Sequence, residues 1–407
     1  MAYVVVGASA AGINAAKTLR EINKDIEIIL VSKDEYVYSR CILHHFLDGR
    51  RDIEDLDFSP GEFFKKYDIK WMKGVEVTGI DTKEKKLKLD NGEDLPYEKV
   101  VLATGASSFL PPIENLRTAN NVIGLRNLDD AIRIKEIAPK VKNIIILGAG
   151  LVGVDAMAGL LDYDAKVTMI EMGDRILPLQ LDHYAANVYI ERLKEEGVDF
   201  RFNVRAEKVI VDENNNPVAI KLNTGEEVPG ELIIACTGVR SNVGFLEGSG
   251  IECDKFGLIF NPKGETNVKD VYGAGDISGR NPIWPTAVKE GLIAANNMCN
   301  KDIYMEDFFG SKNTMNFCGV ATMSLGTVIK PDDTYKEAVE VKGKDYKKII
   351  HKDGVIYGAI VQGDLSYVGI LTQIIKDKIN VDRVKKPIFQ IDYSDFFNEK
   401  QNLEFVY

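Results

Sequence analysis

Gly7, Ser9 and Gly12 stand at the spacing of a glycine-rich turn, and Gly148, Gly150 and Gly153 repeat that spacing farther along the chain. Small residues at these intervals let a backbone turn sharply and approach a pyrophosphate, whose charge is then held by the free N–H groups of a following helix. Each turn has the flanks this chemistry requires. Ala2-Tyr3-Val4-Val5-Val6 leads into the first and the run from Ile13 to Leu19 follows it; Ile144 to Leu147 leads into the second, which Val154 to Ala158 follows. Strand, turn and helix supply the context that a bare glycine motif lacks. Two such units in one polypeptide predict two dinucleotide sites, and hence electron transfer between the two nucleotides.

A sheet must present each turn. Ile26 to Val31 reads as a second buried strand that completes a βαβ unit. Short strands at Val75–Ile80 and Lys86–Leu89, a hairpin-type turn at Asn91-Gly92 and a buried strand from Lys99 to Ala106 follow. The second half repeats this order, with a βαβ unit over 143–171, strands within 205–222, a turn at Asn223-Thr224-Gly225 and a strand from Leu232 to Gly238. A helix is predicted from Thr286 to Met298. Beyond residue 307 the pattern changes to strands, including Lys347–Ile350 and Val355–Val361, then a helix from Tyr367 to Ile375. The fold class is therefore α/β, with two Rossmann-like dinucleotide-binding domains and a C-terminal α+β domain, the last of small-domain size.

Composition narrows the class of function. The 407 residues carry a net charge of -11, which argues against nucleic acid as a general partner. Hydrophobic residues at 45% and charged residues at 28% suit a globular protein of two or three domains. No apolar run reaches the length of a membrane span, and the N-terminus enters a strand at once, so a cytoplasmic location is expected. Cys41, Cys236, Cys253, Cys299 and Cys318 are widely spaced; no zinc or iron–sulfur ligand set is expected, and the pattern fits a reducing compartment. His183 and His351 have no partner at metal or triad spacing.

Cys41 is the candidate for covalent chemistry. It follows Arg40 and opens a predicted helix, Ile42 to Leu47, and a thiol at a helix start beside a cation has a lowered pKa. His44 and His45 would lie on the same helical side and could pair with it. The alternative is that Cys41 is a small packing residue and both histidines are solvated. Glu171 ends Val167 to Ile170, where a carboxylate can accept from a ribose 2′-OH but would repel a 2′-phosphate, favouring NADH over NADPH; Arg175 nearby works against that argument.

Taken together, the two glycine turns, Ala103-Thr104-Gly105, Thr237-Gly238 and Tyr272-Gly273-Ala274-Gly275-Asp276 resemble the flavoproteins of the pyridine nucleotide–disulfide oxidoreductase class. Within it, Tyr38-Ser39-Arg40 and the stretch from Pro282 to Val288 look most like NADH:rubredoxin reductases and the flavin domain of assimilatory nitrite reductases. The resemblance implies a division into residues 1–112 and 237–306 for FAD, 113–236 for NADH, and a C-terminal domain, 307–407, that mediates homodimerisation. It implies that FAD is held by Gly7, Ser9, Ala10, Gly12, Ser32, Lys33, Arg40, Val77, Ala103, Thr104, Gly105, Arg126, Gly275, Asp276, Trp284 and Ala287. The nicotinamide nucleotide falls to Gly148, Gly150, Leu151, Val152, Gly153, Asp155, Glu171, Thr237 and Gly238. Asp155 matches an acidic position near the nicotinamide and could equally be a helix-surface charge. One departure is visible: Ser32 stands where an acidic residue for the adenosine ribose is expected. The implied activity is an FAD-dependent NADH:acceptor oxidoreductase, with a small redox protein such as rubredoxin as a candidate acceptor. Related NADH oxidases, peroxidases and coenzyme A-disulfide reductases use a single cysteine in the region of Cys41, which keeps a thiol-dependent activity open. A redox-responsive binding module or an electron-delivery subunit is the reading from another class.

Overall fold

The structure, a computed structural model, describes residues 2–306 and 312–396 and the backbone of the strand pair Asn398–Glu399 and Phe405–Val406. Two parallel sheets dominate it. In the first, Ile69–Lys73, Ile28–Ser32, Ala2–Val6 and Asp94–Leu102 lie side by side, and Val271–Gly273 joins the last of these from much later in the chain. Val77–Asp81 and Lys86–Leu89 extend Asp94–Leu102 as an antiparallel meander. The second sheet has the order Asp199–Arg201, Lys166–Ile170, Asn143–Leu147, Leu232–Ala235 and Val122–Gly124, all parallel. Val4, Val5, Leu30, Ile144, Ile145, Ile146, Ile233 and Ile234 are fully buried, as expected for strands covered on both faces.

The helices begin where the turns predict, with wider bounds: Ala10–Ile22 and Leu151–Ala158. Ala10–Ile22 packs on Trp284–Met298 through small residues, and a Cβ on Gly291 would collide with the Ala11 carbonyl. That close crossing brings both helix N-termini to one end of the first sheet.

The excursion from Tyr38 to Leu56 leaves the first sheet and buries Tyr38, Leu43, Phe46, Leu47 and Leu56 in the apolar core of the second half. Lys135 donates to the Phe46 carbonyl at 2.7 Å and the Tyr163 hydroxyl to that of Leu47 at 2.7 Å. A two-stranded ribbon, Ala106–Ser108 with Val239–Ser241, also spans the two halves.

The C-terminal segment forms a five-stranded antiparallel sheet, ordered Lys312–Phe317, Val320–Gly326, Val355–Gln362, Asp345–Lys352 and Lys336–Lys342. One face packs on the helix Val368–Lys376, whose Leu371 and Ile374 are fully buried. The other face meets the helix His183–Glu195 of the second half. There the Tyr189 hydroxyl lies 2.7 Å from both the Val320 carbonyl and Thr322 Oγ1, Asp182 pairs with Lys348 at 3.2 Å, and Gln362 donates to the Ala185 carbonyl. Among the described residues, no helix is long and apolar enough to cross a membrane, and no three His, Cys, Asp or Glu side chains group to hold a metal.

Candidate active site

In an open parallel sheet, ligands bind beyond the carboxyl ends of the strands where strand order reverses. In the first sheet that place is next to Ala2–Val6 and Asp94–Leu102, and a cavity of about 660 Å³ opens there, within the range of small-molecule sites. Gly7, Ser9, Ala10, Ser32, Lys33, Arg40, Cys41, Val77, Ala103, Thr104, Gly105, Arg126, Gly275, Asp276, Trp284 and Ala287 all line it. Gly12 lies behind the turn. A Cβ there would run into the Gly7 carbonyl oxygen, and Gly7 itself has φ 113°, so both positions require glycine.

The first helix starts at Ala10 with Ser9 as its cap, and the helix Trp284–Met298 starts beside it. Unpaired N–H groups and the positive ends of two helix dipoles thus meet at the cavity, an environment that favours anions. Both arginines of the lining are paired across the walls. Arg126 bonds Asp276 at 2.5 Å and donates Nε to the Ala106 carbonyl. Arg40 donates to Asp34 at 2.9 Å and to Asn127 Oδ1, the Arg126 carbonyl and the Tyr38 hydroxyl. Burial pushes the Tyr38 hydroxyl up to about 12, against the opposing pull of Arg40, so it is a neutral donor to Asp34.

Several implied contacts are engaged otherwise. The Ser32 hydroxyl donates to the Asp34 carbonyl at 2.8 Å and accepts from Trp71 Nε1 at 2.9 Å, which leaves it one further acceptor site toward the cavity. Thr104 Oγ1 donates to the Asn242 carbonyl and Thr237 Oγ1 to that of Phe109, so both threonines tie the crossing segments together.

The second turn has the same construction. Gly148 has φ 100°, a Cβ on Gly153 would strike the Gly148 carbonyl oxygen, and a Cβ on Gly150 would meet nothing, leaving open space beside the start of the helix Leu151–Ala158. Glu171 ends its strand with Oε2 accepting from the Ala149 N–H and Oε1 from the Gly173 N–H, each at 2.7 Å. Val152 is exposed and Gly238 adopts φ 103°, its carbonyl accepting from the Phe109 N–H.

Cys41 departs from expectation. Arg40–Ile42 is a 3-10 turn and the helix begins only at Leu43, running five residues to Leu47. Arg40 faces Asp34 rather than the thiol, and although Cys41 is exposed to the open cavity, desolvation by the surrounding walls, followed by the charge of Asp155, pushes its thiol up, opposed by Arg126. The histidines look elsewhere too: His44 Nδ1 lies 3.9 Å from Asp155 and His45 Nδ1 3.4 Å from Asp48. Burial lowers His44 to about 4 and raises Asp155 to about 7. Asp155 therefore sits between the halves, beside the cavity, rather than on an outer helix surface. All five cysteines are free, and burial pushes Cys236 up to about 12.

Asn127 and Asn242 line the cavity without having been singled out from the sequence, Asp34, one of the acids just beyond Ser32, lines it too, and Glu290 stands just behind it. Asn242 bonds Thr104 in both directions, a pairing between residues far apart in the chain that no local pattern reveals. Glu290 did leave a trace, as an acid beside Gly291 in an otherwise small and apolar helix face.

Known proteins share this arrangement. Residues 1–291 match the family described as pyridine nucleotide-disulphide oxidoreductase, and residues 312–379 match the rubredoxin NAD+ reductase C-terminal domain. An NADH oxidase of Methanocaldococcus jannaschii is 29% identical over 73% of this chain and 70% of its own length. An NADH-rubredoxin oxidoreductase of Clostridium acetobutylicum is 25% identical over 89% of this chain and 91% of its own. The fold is shared with an NAD-dependent persulfide reductase from A. fulgidus at a TM-score of 0.85 and 24% identity, covering 94% of this chain and 78% of that one. Two repeated dinucleotide turns, the anion-favouring cavity and the matched length place the chain in the pyridine nucleotide–disulphide oxidoreductase family, as a flavin-dependent NAD(P)H oxidoreductase.

Proposed function

We propose that the chain is an NADH-dependent reductase that binds FAD in the first cavity and NADH at the second turn, and delivers electrons to a small redox protein of the rubredoxin type. The observation that carries this reading is the convergence of two helix N-termini, Arg126 and Asp276 on one cavity of dinucleotide dimensions. Bound flavin supplies the chemistry of accepting a hydride and releasing electrons. The chain supplies the setting. On the proposed division, 1–112 and 237–306 supply most of the cavity wall, 113–236 add Arg126 and Asn127 to it and carry the second turn, and 307–407 is assigned to the terminal domain.

NADH is the preferred nucleotide. Glu171 would repel a 2′-phosphate. Arg175, the nearby cation that could accept one, is 8% exposed and holds Asp174 and the Leu181 and Pro178 carbonyls. Asp155, whose charge acts on Cys41 of the cavity wall, is assigned the role of orienting the nicotinamide. Five free cysteines suit the cytoplasm. A homodimer is the expected assembly, supported by exposed Val339 and Val341 on the outer strand of the terminal sheet. A sedimentation mass of 45.3 kDa at all concentrations would contradict it.

The exposure of Cys41 on the cavity wall favours a second reading, a thiol-dependent NADH oxidase, peroxidase or disulfide reductase. Anaerobic stopped-flow mixing with NADH, followed by rubredoxin, peroxide or a disulfide as acceptor, separates the two. On the first reading Cys41→Ser reduces rubredoxin at the native rate. On the second it loses peroxide or disulfide reduction, together with any long-wavelength thiolate-to-flavin band.

A further inference from the structure

Glu290 lies on the inner side of the helix Trp284–Met298 and reaches back to the turn that carries Asp276. Its Oε2 accepts from the Gly275 N–H at 2.7 Å. Gly275 has φ 80°, and a Cβ on it would sit 3.1 Å from that of Ala11, so the turn is packed from one side and bonded from the other. The next residue is Asp276, which holds Arg126 on the wall of the first cavity.

Glu290 also lines a second cavity of about 240 Å³, beside Ser278, Arg280, Asn281, Ile293 and Met305. Its carboxylate thus stands in the partition between the two spaces. Asp276 faces it from the 3-10 turn. Arg280, the other charged group on the second cavity, is held by Asp254 at 2.5 Å. The segment from Leu258 to Gly264 lines that cavity with Leu258, Phe260, Asn261, Pro262 and Gly264, none of them charged, and Lys263 within it pairs with Asp302. Ala11 from the first helix and Met305 bring no charge. Burial, and then the charge of Asp276 against the opposing Gly275 bond, raises Glu290 to about 7.

We propose that Glu290 is a positioning residue of the flavin site, which fixes the Gly275–Asp276 turn through its bond to the Gly275 N–H and takes up a proton from solvent, by way of the second cavity, when the first cavity fills with the anionic cofactor. The inference rests on the reading of the first cavity as the FAD site. A pyrophosphate adds negative charge to that of Asp276, so the carboxylate becomes costlier and the neutral acid is favoured. The proton comes from solvent and ends on one carboxyl oxygen; the other still accepts from Gly275. Flavin binding is then tighter on the acid side of neutrality.

The test is FAD affinity, measured by flavin fluorescence in dilution series of the holoenzyme. Between about pH 6 and pH 9 the native protein is expected to lose roughly tenfold in affinity, the equivalent of one pKa unit of coupling. Glu290→Gln keeps an oxygen for the Gly275 N–H and cannot titrate, so its slope should be several-fold shallower than the native one, and Asp155→Asn in the same background should remove what Asp155 adds beside the cavity. Glu290→Ala removes the acceptor and should weaken FAD at every pH, on the order of tenfold. A native profile that is flat, or a slope that is undiminished in Glu290→Gln, overturns the inference while leaving the FAD site standing. Failure of the native protein to bind FAD at any pH would instead defeat the underlying reading.

Discussion

The two halves share a strand order and a glycine turn, yet they close their sites differently. In the first half the fifth parallel strand, Val271–Gly273, arrives after the whole second half has been built, and it brings Gly275 and Asp276 to the cavity. In the second half the fifth strand, Val122–Gly124, comes before the glycine turn, and among the described residues no later strand joins that sheet beyond Leu232–Ala235. The first site is consequently walled by many segments, drawn from residues 6 to 287, while at the second turn a Cβ on Gly150 would meet nothing. A site with many walls suits a resident cofactor and a barer one a nucleotide that must come and go. The excursion from Tyr38 to Leu56, buried in the core of the second half, ties the two together at the cavity wall.

The largest effects should come from breaking each turn separately. Gly12→Val places a side chain against the Gly7 carbonyl and should yield protein without FAD, whereas Gly153→Val, against the Gly148 carbonyl, should leave the protein yellow and unable to bind NADH. Absorbance spectra and NADH titrations of both variants check this, and loss of FAD in Gly153→Val would break the proposed division of labour.

A smaller change is expected at the nucleotide selector. Glu171→Ala removes an acceptor of two backbone N–H groups and should raise KM for NADH about tenfold, with less effect on NADPH. Steady-state kinetics with both nucleotides decides it. A higher native kcat/KM with NADPH would contradict the role given to Glu171.

The junction between halves predicts a pH effect on stability. Folded Asp155 keeps its proton up to about 7, while an unfolded aspartate releases it near pH ~4. Across that window the folded state binds more protons, so stability falls as pH rises. Asp155→Asn should therefore stabilise the protein at about pH 8, by on the order of 1–2 kcal/mol, and leave it little changed at about pH 4. Denaturant melts at both values test the sign; an equal effect at both would place Asp155 in solvent.

Both glycine turns were legible because their requirements are local: positive φ at Gly7 and Gly148, and contact with a carbonyl at Gly12 and Gly153. The same holds for the apolar parallel strands. The details around Cys41 were not. A short apolar run after Arg40 reads as a helix, but its register is set by burial of Leu43, Phe46 and Leu47 in the other half, which leaves Cys41 in a 3-10 turn and directs Arg40 to Asp34. The bond from Trp71, on the neighbouring strand, to the Ser32 hydroxyl is likewise invisible until the strands pair. Glu290, Asn127 and Asn242 acquire meaning only through partners distant in sequence.

The most direct test of two unlike sites working on two nucleotides is an anaerobic titration of the purified protein with NADH, followed by flavin absorbance. The account predicts a yellow protein with one FAD per chain, bleached by one equivalent of NADH. Colourless protein that cannot be reconstituted with FAD, or bound flavin that stays oxidised under excess NADH, would contradict it.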